Sequence, residues 1–329
     1  MSKHLNLTVI FQASNLNYGE SFGNIMSLKK IISGGKNYSY ISRQALRYDL
    51  VRIMNQYGGM PLTKVQSSKK EGEAATTEEK LMIQFARSTR IDKYPEIDLF
   101  GYMKTAEGNG NTFIRKAKVR LSDAISLEPF NNEIDFSTNM GLAHRGEEIE
   151  GKIENISGNN IFQSEIHRSF YSYTLTVDLD EIGIDENKFN QDDQIISIPN
   201  KDKAKRVNLL LESIKGLYRD IKGKRENLAP LFIIGGIYNF GNPPFYNRLS
   251  LSFKKNENSL NNKPFLNIDI INEILNKSFF GEHLLKSTLF GIEKSIFGVE
   301  KDKKINLTEN TIENFFQEIK NRINLNYNI

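Results

Sequence analysis

The 329-residue sequence predicts an α+β fold in which two amphipathic helices cover one face of an antiparallel sheet. Three observations support this class. Two segments, Leu5–Phe11 and Tyr171–Val177, alternate apolar and polar residues as half-buried strands do. Each is followed by an amphipathic stretch with helical spacing, and Leu231–Tyr238 is an apolar run typical of a buried strand. Hydrophobic residues make up 39% of the chain, which is a globular proportion.

The first strand and helix carry the clearest signals. After the strand Leu5–Phe11, the segment Asn15–Gly35 predicts a long connection with a short apolar patch. Ser42 is a typical helix-capping residue, and an apolar face within Leu46–Tyr57 predicts a helix that ends at Gly58-Gly59.

The next segment predicts an insertion followed by two strands. Within Pro61–Pro95, a polar loop at Gln66–Glu79 leads to a short helix at Glu78–Arg87. Ile97–Met103 and Phe113–Leu121 are then predicted as strands. The second of these places three basic residues on one face, which also suits a solvated edge strand: Lys116, Lys118 and Arg120.

Periodicity is lost from Phe130 to Arg168, and a segment this long in a compact domain is usually functional or disordered. A helix is predicted over Val207–Ile221, before the last buried strand. The order of elements describes a ferredoxin-like or RNA-recognition-motif core with large insertions. Two further helices are predicted near Glu282–Ile296 and Asn310–Ile323, with Asn310 and Glu313 at capping-box spacing.

Positive charge is concentrated in two short segments, although the net charge is only +4. Met26–Gln56 holds six Lys or Arg against one Asp, and Lys201–Glu226 holds nine against four acidic residues. Clustered basic charge is typical of phosphate-binding surfaces, and solvated helix faces are the alternative interpretation.

The segment Ser33–Tyr48 predicts an anion-binding site at the start of the first helix. A Gly-Gly turn, two tyrosines, Ser42, Arg43 and Arg47 are expected to converge there. The first N–H groups of a helix lack intrahelical partners and lie at the positive end of its dipole. The interleaved aromatic residues favour a nucleic-acid backbone over a free phosphate.

Composition and motif spacing exclude several kinds of chemistry. The chain contains no cysteine, so disulfides, thiolate metal sites and cysteine nucleophiles are excluded. No apolar run approaches a membrane span and no signal peptide is recognisable, so the cytoplasm is the expected compartment and no membrane partner is expected. The four histidines lack metal-pair spacing, and no cofactor or metal is predicted. His144-Arg145 and His167-Arg168 leave open a general base and phosphate clamp in an endoribonuclease.

An ordered set of motifs resembles the backbone subunit of type I CRISPR effector complexes (Cascade), in the DevR-like, type I-B group. The resemblance covers Met1 to about Phe245 and rests on seven segments in the expected order: Leu16–Ser21, Gly34–Lys36, Ile41–Arg47, Asp98–Met103, Val119–Ser126, Phe170–Tyr173 and Gly223–Pro230.

The resemblance implies a domain organisation. Residues 1–245 would form a modified RNA-recognition-motif palm, with a finger insertion at about 60–96 and a thumb insertion at about 130–168. Residues 246–329 would form a helical C-terminal extension packed on the palm. In this family the thumb inserts between guide bases, and the wedge candidates here are Met140, Leu142, Ile161 and Phe162.

The resemblance also implies a set of RNA-binding residues. The loop and first helix of the family hold guide phosphates, which corresponds here to Ser42, Gln44 and Arg47, with Lys29, Lys30 and Arg43 nearby. The basic segments add further candidates: Lys36, Lys116, Lys118, Arg120, Lys224 and Arg225. The implied protein is a non-catalytic scaffold, because the related RNA-cleaving type III subunits carry an acidic residue before this helix and Gly34–Ser42 has none.

The implied partners are CRISPR RNA, target DNA and further copies of the same chain. They also include the large subunit, the subunit capping the guide 5′ end, the guide-processing endonuclease and a recruited helicase-nuclease. Two alternatives stay open at this point. One is an endoribonuclease of the same superfamily that processes guide precursors, and the other is a general single-stranded nucleic-acid coat protein.

Overall fold

The structure is a computed structural model that describes residues 2–22, 25–68, 82–104, 112–138, 161–187, 195–253, 263–298 and 303–329. The α+β class is confirmed, because a large sheet is combined with helices. Elements are numbered in chain order. The described residues contain six α-helices: α1 (Arg43–Gly58), α2 (Pro95–Phe100), α3 (Asn200–Lys215), α4 (Ile268–Leu275), α5 (Leu284–Ser287) and α6 (Ile312–Asn326).

A nine-stranded sheet is the centre of the fold, and its strand pairs are antiparallel except for the outermost pair, β25 and β24. Its spatial order is β25 (Glu309–Asn310), β24 (Thr288–Ile292), β19 (Phe232–Tyr238), β1 (His4–Ser14), β14 (Arg168–Asp178), β11 (Ala124–Ser126), β5 (Lys36–Ile41) and β4 (Lys30–Ser33), with β10 (Val119–Leu121) also paired to β14. Strand β1 therefore lies in the middle, between β14 and β19.

A second sheet has four strands, in the order β12 (Glu133–Thr138), β13 (Ile161–Ile166), β3 (Ile25–Leu28) and β2 (Tyr18–Phe22). The remaining described strands form two-stranded pairs: β6 (Val65–Ser68) with β7 (Met82–Phe85), β8 (Tyr102–Lys104) with β9 (Phe113–Arg115), β15 (Ile184–Asp185) with β16 (Ile196–Ser197), β17 (Tyr218–Ile221) with β18 (Lys224–Asn227), β20 (Leu251–Phe253) with β21 (Pro264–Leu266), and β22 (Ser278–Phe279) with β23 (Glu282–His283). One turn of 3₁₀ helix spans Leu179–Glu181.

Two hydrophobic cores lie on opposite faces of the central sheet. Side chains alternate along a strand, so Val9 and Phe11 of β1 face one core and Ile10 faces the other. Helices α1, α3 and α6 cover the first face, and α4 contributes to the core on the second. No helix among the described residues is long and apolar enough to span a membrane.

A buried ion network joins α2 to β9 and α3. The Asp98 side chain is fully buried, and each of its carboxylate oxygens lies 2.6 Å from a guanidinium nitrogen, one of Arg115 and one of Arg206. The N–H of Gly183 donates to the same carboxylate at 2.9 Å. The network therefore fixes the segment preceding β8 against the helical layer.

The predicted strands Leu5–Phe11, Tyr171–Val177 and Leu231–Tyr238 are confirmed as β1, β14 and β19. The long connection predicted at Asn15–Gly35 is wrong, because it contains the strands β2, β3 and β4. These strands pair with each other and with distant segments, which local periodicity does not reveal.

The strand predicted at Ile97–Met103 is also wrong, because α2 occupies its first part. Pro95 stands in the first turn, where it has no N–H to leave unpaired, and Glu96 and Asp98 lie at the positive end of the helix. Gly101, with φ of 74°, ends the helix. The short helix predicted at Glu78–Arg87 is wrong in its described part, which is β7 and a turn.

The strand predicted at Phe113–Leu121 is interrupted between β9 and β10. The Lys118 N–H donates to the Leu99 carbonyl at 2.9 Å, so the backbone here bonds to the end of α2. The helix predicted at Val207–Ile221 starts earlier and ends at Lys215, and Tyr218–Ile221 is strand β17.

In the C-terminal region, the helix predicted at Glu282–Ile296 is wrong over most of its length. Residues Thr288–Ile292 form β24, which pairs with β19 inside the central sheet. The last predicted helix is confirmed as α6, but Thr311 caps it by accepting from the Asn314 N–H at 3.1 Å, so the Asn310–Glu313 capping box is wrong. Asn310 instead donates to the Phe290 carbonyl.

Candidate nucleic-acid interface

The start of α1 is capped from within the chain. Ser42 is extended, with φ of −66° and ψ of 147°, and its hydroxyl accepts from the Ala45 N–H at 3.4 Å. The Arg43 N–H donates to Asp123 at 2.7 Å. The expectation of unpaired N–H groups is therefore corrected. Of the N–H groups of Arg43, Gln44 and Ala45, only that of Gln44 lacks a hydrogen-bond partner within the described residues.

Asp123 changes the electrostatics of this site. Although Gly34–Ser42 contains no acidic residue, the turn between β10 and β11 brings the Asp123 carboxylate to the helix start. This carboxylate satisfies the positive end of the helix dipole and would repel an anion placed there. Contact with a phosphate at this end of α1 therefore depends on side chains.

Arg47 supplies such a side chain. Its guanidinium lies 5.1 Å from the centre of the Phe100 ring and 3.7 Å from the Glu96 carboxylate, and 39% of the side chain is exposed. Burial lowers the pKa of Arg47 and the Glu96 charge partly offsets this, but an arginine remains protonated under all ordinary conditions. One side of the guanidinium is held and the other faces solvent, as do the side chains of Arg43 and Gln44.

A polar and aromatic ridge continues along α1. Gln44, Tyr48, Arg52 and Gln56 are each four residues apart, so they form one row on the helix surface. The Tyr48 side chain is exposed at 66%. At 1.5 Å per residue the row is about 18 Å long.

The ridge ends at an arginine–tyrosine stack. The guanidinium groups of Arg52 and Arg225 lie over the ring of Tyr218, on β17, at 4.3 and 4.5 Å from its centre. Tyr57 packs edge-on against Tyr218, and the hydrogen bond between their hydroxyls lowers the pKa of Tyr218. Of this stack, sequence reasoning identified only Arg225. The four-residue spacing of Tyr48 and Arg52 was a local signal that it missed.

The hairpin β17–β18 carries two predicted RNA-binding residues, Lys224 and Arg225, in different surroundings. Arg225 forms a two-pronged ion pair with Asp220, at 2.7 and 3.0 Å. Lys224 lines a cleft of about 420 Å³ between this hairpin and the strands β12 and β13. In the same cleft, the Lys222 ammonium lies 3.6 Å from the Tyr18 ring centre and donates to Ser164.

The hairpin β4–β5 carries Lys30 and Lys36 at opposite ends, and Lys29 immediately precedes it. Lys30 is paired with Glu165 at 2.6 Å, whereas Lys36 is exposed beside the tight turn at Gly34-Gly35. The backbone of Tyr40 donates to the Lys29 carbonyl, so Lys29 lies near the end of β5 that leads into α1. The Gly-Gly turn does not converge on the helix start as expected, because β5 separates them by about 20 Å.

The predicted basic strand face at Lys116, Lys118 and Arg120 is not brought to α1. Lys118 forms an ion pair with Glu181, and Arg120 forms one with Asp178 at 2.6 Å. Val119 and Leu121 face the helical core, so Arg120 projects from the opposite face of the sheet. Lys116 is exposed in the break between β9 and β10.

His167 is held in the interior. Its side chain is largely buried, and its Nδ1 lies 2.7 Å from the Ser39 hydroxyl, which also bonds the Tyr171 hydroxyl. Burial lowers the pKa of His167. His144 and the wedge candidates Met140 and Leu142 lie outside the described residues. Ile161 and Phe162 lie in β13, and their side chains also fall outside the description.

The described residues contain no cluster of three or more His, Asp or Glu side chains arranged to hold a metal ion. The described basic and aromatic surface offers an anionic strand side-chain charge, stacking and hydrogen bonding.

Comparison with known families identifies the class of protein. Residues 5–257 match the family model described as CRISPR-associated negative auto-regulator DevR/Csa2, and the chain belongs to this family.

A curated relative is the CRISPR-associated protein Cas7/Cst2/DevR of Myxococcus xanthus (strain DK1622), which is 25% identical over 177 residues. The match spans 52% of this chain and about half the length of the relative, at 55%.

Solved structures have a similar fold. A chain of a CRISPR RNA-guided surveillance complex in a pre-nicking state superposes with a TM-score of 0.61 at 10% identity, over 97% of this chain and 100% of that chain. A chain of another CRISPR RNA-guided surveillance complex gives a TM-score of 0.53 at 13% identity, over 97% and 99%.

Proposed function

We propose that this chain is a non-catalytic backbone subunit that binds CRISPR RNA along its length and presents it for pairing with target DNA. The observation that carries the proposal is the ridge on α1, which begins beside the exposed Arg43 and the half-buried Arg47 and ends at the stack around Tyr218. Membership of the DevR/Csa2 family supports it. A general single-strand coat protein would use the same chemistry, and the identity of the bound RNA separates the two.

The proposed contacts suit a protein that must hold a guide of any sequence. Cations on phosphates carry no sequence information and leave the base edges free for pairing. Arg43 and Arg47 are one helical turn apart, so they can contact one phosphate or two neighbouring phosphates. We assign Ser42 and Gln44 supporting roles, because Ser42 fixes the helix start and Gln44 offers an exposed side-chain amide.

The remaining RNA contacts are assigned by position. Lys29 lies near the end of β5 that leads into α1, Lys36 lies at the turn end of the β4–β5 hairpin, and Lys224 lies in the cleft beside β12 and β13. Lys30, Lys118, Arg120 and Arg225 already form ion pairs within the chain, so a phosphate must compete with a carboxylate there. Arg47 also faces a carboxylate, but its contact with Glu96 is longer, at 3.7 Å, so we expect these four residues to contribute less than Arg43 and Arg47. Lys116 has no assigned contact with α1.

The domain organisation follows from the same proposal. The hairpin of β12 and β13 corresponds to the base of the thumb within residues 130–168, and β6 and β7 lie in the finger at about 60–96. The central sheet with α1 and α3 would be the RNA-recognition-motif palm of residues 1–245, followed by the extension at 246–329. Copies of the chain would assemble along the guide in a type I-B complex in the cytoplasm.

The proposed partners are the other subunits of that complex and the helicase-nuclease that it recruits. An endoribonuclease remains the rival function. The buried position of His167, whose Nδ1 bonds Ser39, favours a structural role for that histidine. His144 remains the other candidate base. Incubation with labelled repeat RNA tests this, because cleavage abolished by substitution of His144 would support the enzyme.

The test of the proposed function starts from the RNA that copurifies with the recombinant chain, expressed with a repeat array. Uniform guide-length RNA supports the proposal, whereas random RNA supports a coat protein. The double variant Arg43→Ala/Arg47→Ala should weaken binding to RNA of every sequence. It should also lower the slope of log K against log salt by about 0.7 if the two arginines share one phosphate and by about 1.4 if they contact two, because each phosphate neutralised on a single strand contributes about 0.7.

Arg90→Ala is the matched control, because Arg90 is partly exposed and paired with a carboxylate, as Arg47 is, but lies outside α1. It should bind RNA as the unmodified chain does. An unchanged salt slope in the α1 variant, or a loss of affinity confined to one RNA sequence, would contradict the proposed phosphate contacts.

A further inference from the structure

An aromatic residue stands at the tip of the hairpin β22–β23, where the local backbone favours a different residue. Phe280 and Gly281 form its two-residue turn, with φ of 49° and 79°. This is a type I′ turn, in which Asn-Gly is the favoured pair, and a bulky side chain at positive φ is strained. The Phe280 side chain is nonetheless 82% exposed, so burial in the core does not explain it.

The hairpin is supported from behind by stacked rings. Phe240 lies 5.2 Å from Phe279 and 6.5 Å from Phe280, measured between ring centres, and Tyr238 stacks on Phe240 at 5.1 Å. Tyr238 and Phe240 are both buried. The tip is therefore braced against the core, and the Phe280 ring presents most of its surface to solvent.

A cleft beside the tip adds positive charge. The cleft has a volume of about 300 Å³, at the lower end of ligand pockets, and Tyr246 and Phe279 line it together with Arg248 and Lys277. Its described lining contains these two cations and no carboxylate. Lys277 is paired with the exposed Glu273 carboxylate at 3.0 Å, and the charge of Arg248 also helps to lower the pKa of Glu273.

We infer that this tip and cleft form a second binding site for single-stranded nucleic acid, in which a base stacks on Phe280 and a phosphate contacts Arg248. An exposed ring next to an arginine is the arrangement that single-strand binding uses, because every base has a face to stack and every nucleotide has a phosphate. The lining places two cations, Arg248 and Lys277, against one exposed carboxylate at its rim, Glu273, and this excess of positive charge favours an anionic strand over a basic peptide.

The site is separate from the ridge on α1. Phe240 and Tyr238 belong to the core on the second face of the sheet, whereas α1 covers the first face. A strand bound at Phe280 therefore differs from the guide segment proposed to lie on α1. The inference does not depend on that proposal, and loss of this site should leave guide copurification unchanged.

The substitution Phe280→Asn separates a binding role from a structural one. Asn-Gly suits a type I′ turn, so the variant should unfold at the same or a higher urea concentration than the unmodified chain. Its affinity for labelled oligo(dT) or oligo(U), added to the guide-loaded chain, should fall about tenfold or more, since the ring on which one base stacks is removed. The matched control is Leu325→Asn, because Leu325 is also exposed, at 73%, but lies on α6.

A direct readout comes from Phe280→Trp, because the chain contains no tryptophan and this residue would be its only indole fluorophore. Stacking of a base should quench its emission during titration with the oligonucleotides, and Arg248→Ala in the same background should weaken the quenching. Comparing oligo(dT) with oligo(U) identifies whether DNA or RNA is preferred.

Two outcomes would overturn the inference. In one, Phe280→Asn binds both oligonucleotides as tightly as the unmodified chain does. In the other, the Phe280→Trp emission is unchanged by saturating oligonucleotide but shifts to the blue when a protein subunit is added, which would make the tip a protein contact.

Discussion

Replacement of Asp98 by asparagine removes the negative charge from the buried network and leaves its two guanidinium groups in place. Asp98 is fully buried, and the side chains of Arg115 and Arg206 are exposed by only 5% and 8%. Each guanidinium is 2.6 Å from one carboxylate oxygen, so both lose an ionic hydrogen bond. Breaking a buried ion pair in this way costs about 3–5 kcal/mol.

The expected loss is a large fraction of the stability of an ordinary domain, which is about 5–15 kcal/mol. It should be visible in urea unfolding as a lower midpoint with an unchanged slope. Asp92→Asn provides the control, because the carboxylate of Asp92 is 33% exposed and pairs with Arg90 at 3.2 Å. Such an exposed pair contributes at most about 1 kcal/mol.

A double-mutant cycle with Arg206→Met tests whether the cost arises from unpaired charge. If it does, Asp98→Asn should be less damaging once one of the two guanidinium groups is gone, with a coupling of about 0.5–3 kcal/mol. The reasoning is refuted if the unfolding free energy of Asp98→Asn lies within about 1 kcal/mol of that of the unmodified chain, since breaking a fully desolvated ion pair should lower it by more than that.

Two further predictions concern α1 and His167. Ser42→Ala should lower the unfolding free energy by about 1 kcal/mol, because the hydrogen bond that caps the Ala45 N–H is removed. Ser42→Thr keeps a hydroxyl and should retain most of this stability. Equal loss of stability in the two variants would contradict capping. Burial holds the pKa of His167 below its ordinary value of 6.5, so the unfolded chain takes up the proton first and stability should fall as the pH is lowered from about 6.5. His167→Gln should flatten this pH dependence in urea unfolding, and an unchanged slope would exclude His167 as its source.

The strands and helices predicted correctly from the sequence are those whose burial pattern is local. Leu5–Phe11 alternates apolar and polar residues as a strand does, and helices cover its apolar face, although Asn6 and Thr8 on the other face are buried as well, so the expectation of a half-buried strand is wrong for β1. The Ser42 cap and the apolar face of α1 are complete within one segment. The DevR/Csa2 resemblance was likewise carried by ordered local motifs and is confirmed by the family match over residues 5–257.

The elements that were missed depend on partners far along the chain. Thr288–Ile292 becomes a strand because β19 offers it an open edge, and Asp123 reaches the Arg43 N–H through the pairing of β11 with β5. The stack of Arg52 on Tyr218 joins residues 166 positions apart. No local periodicity encodes such contacts, so the electrostatics of the candidate interface emerged only from the fold.

The central position of β1 has a consequence for biosynthesis. This strand leaves the ribosome long before its neighbours, since the partners of His4 are Asp178 and Tyr238, and the latter is 234 residues later. At about 5–20 residues translated per second, its apolar side chains and unpaired backbone stay exposed for roughly ten to fifty seconds before β19 is synthesised. We expect nascent chains to require chaperone protection during that interval, and truncated products to aggregate, because the central strand pairs with both of its neighbours only when translation is well advanced.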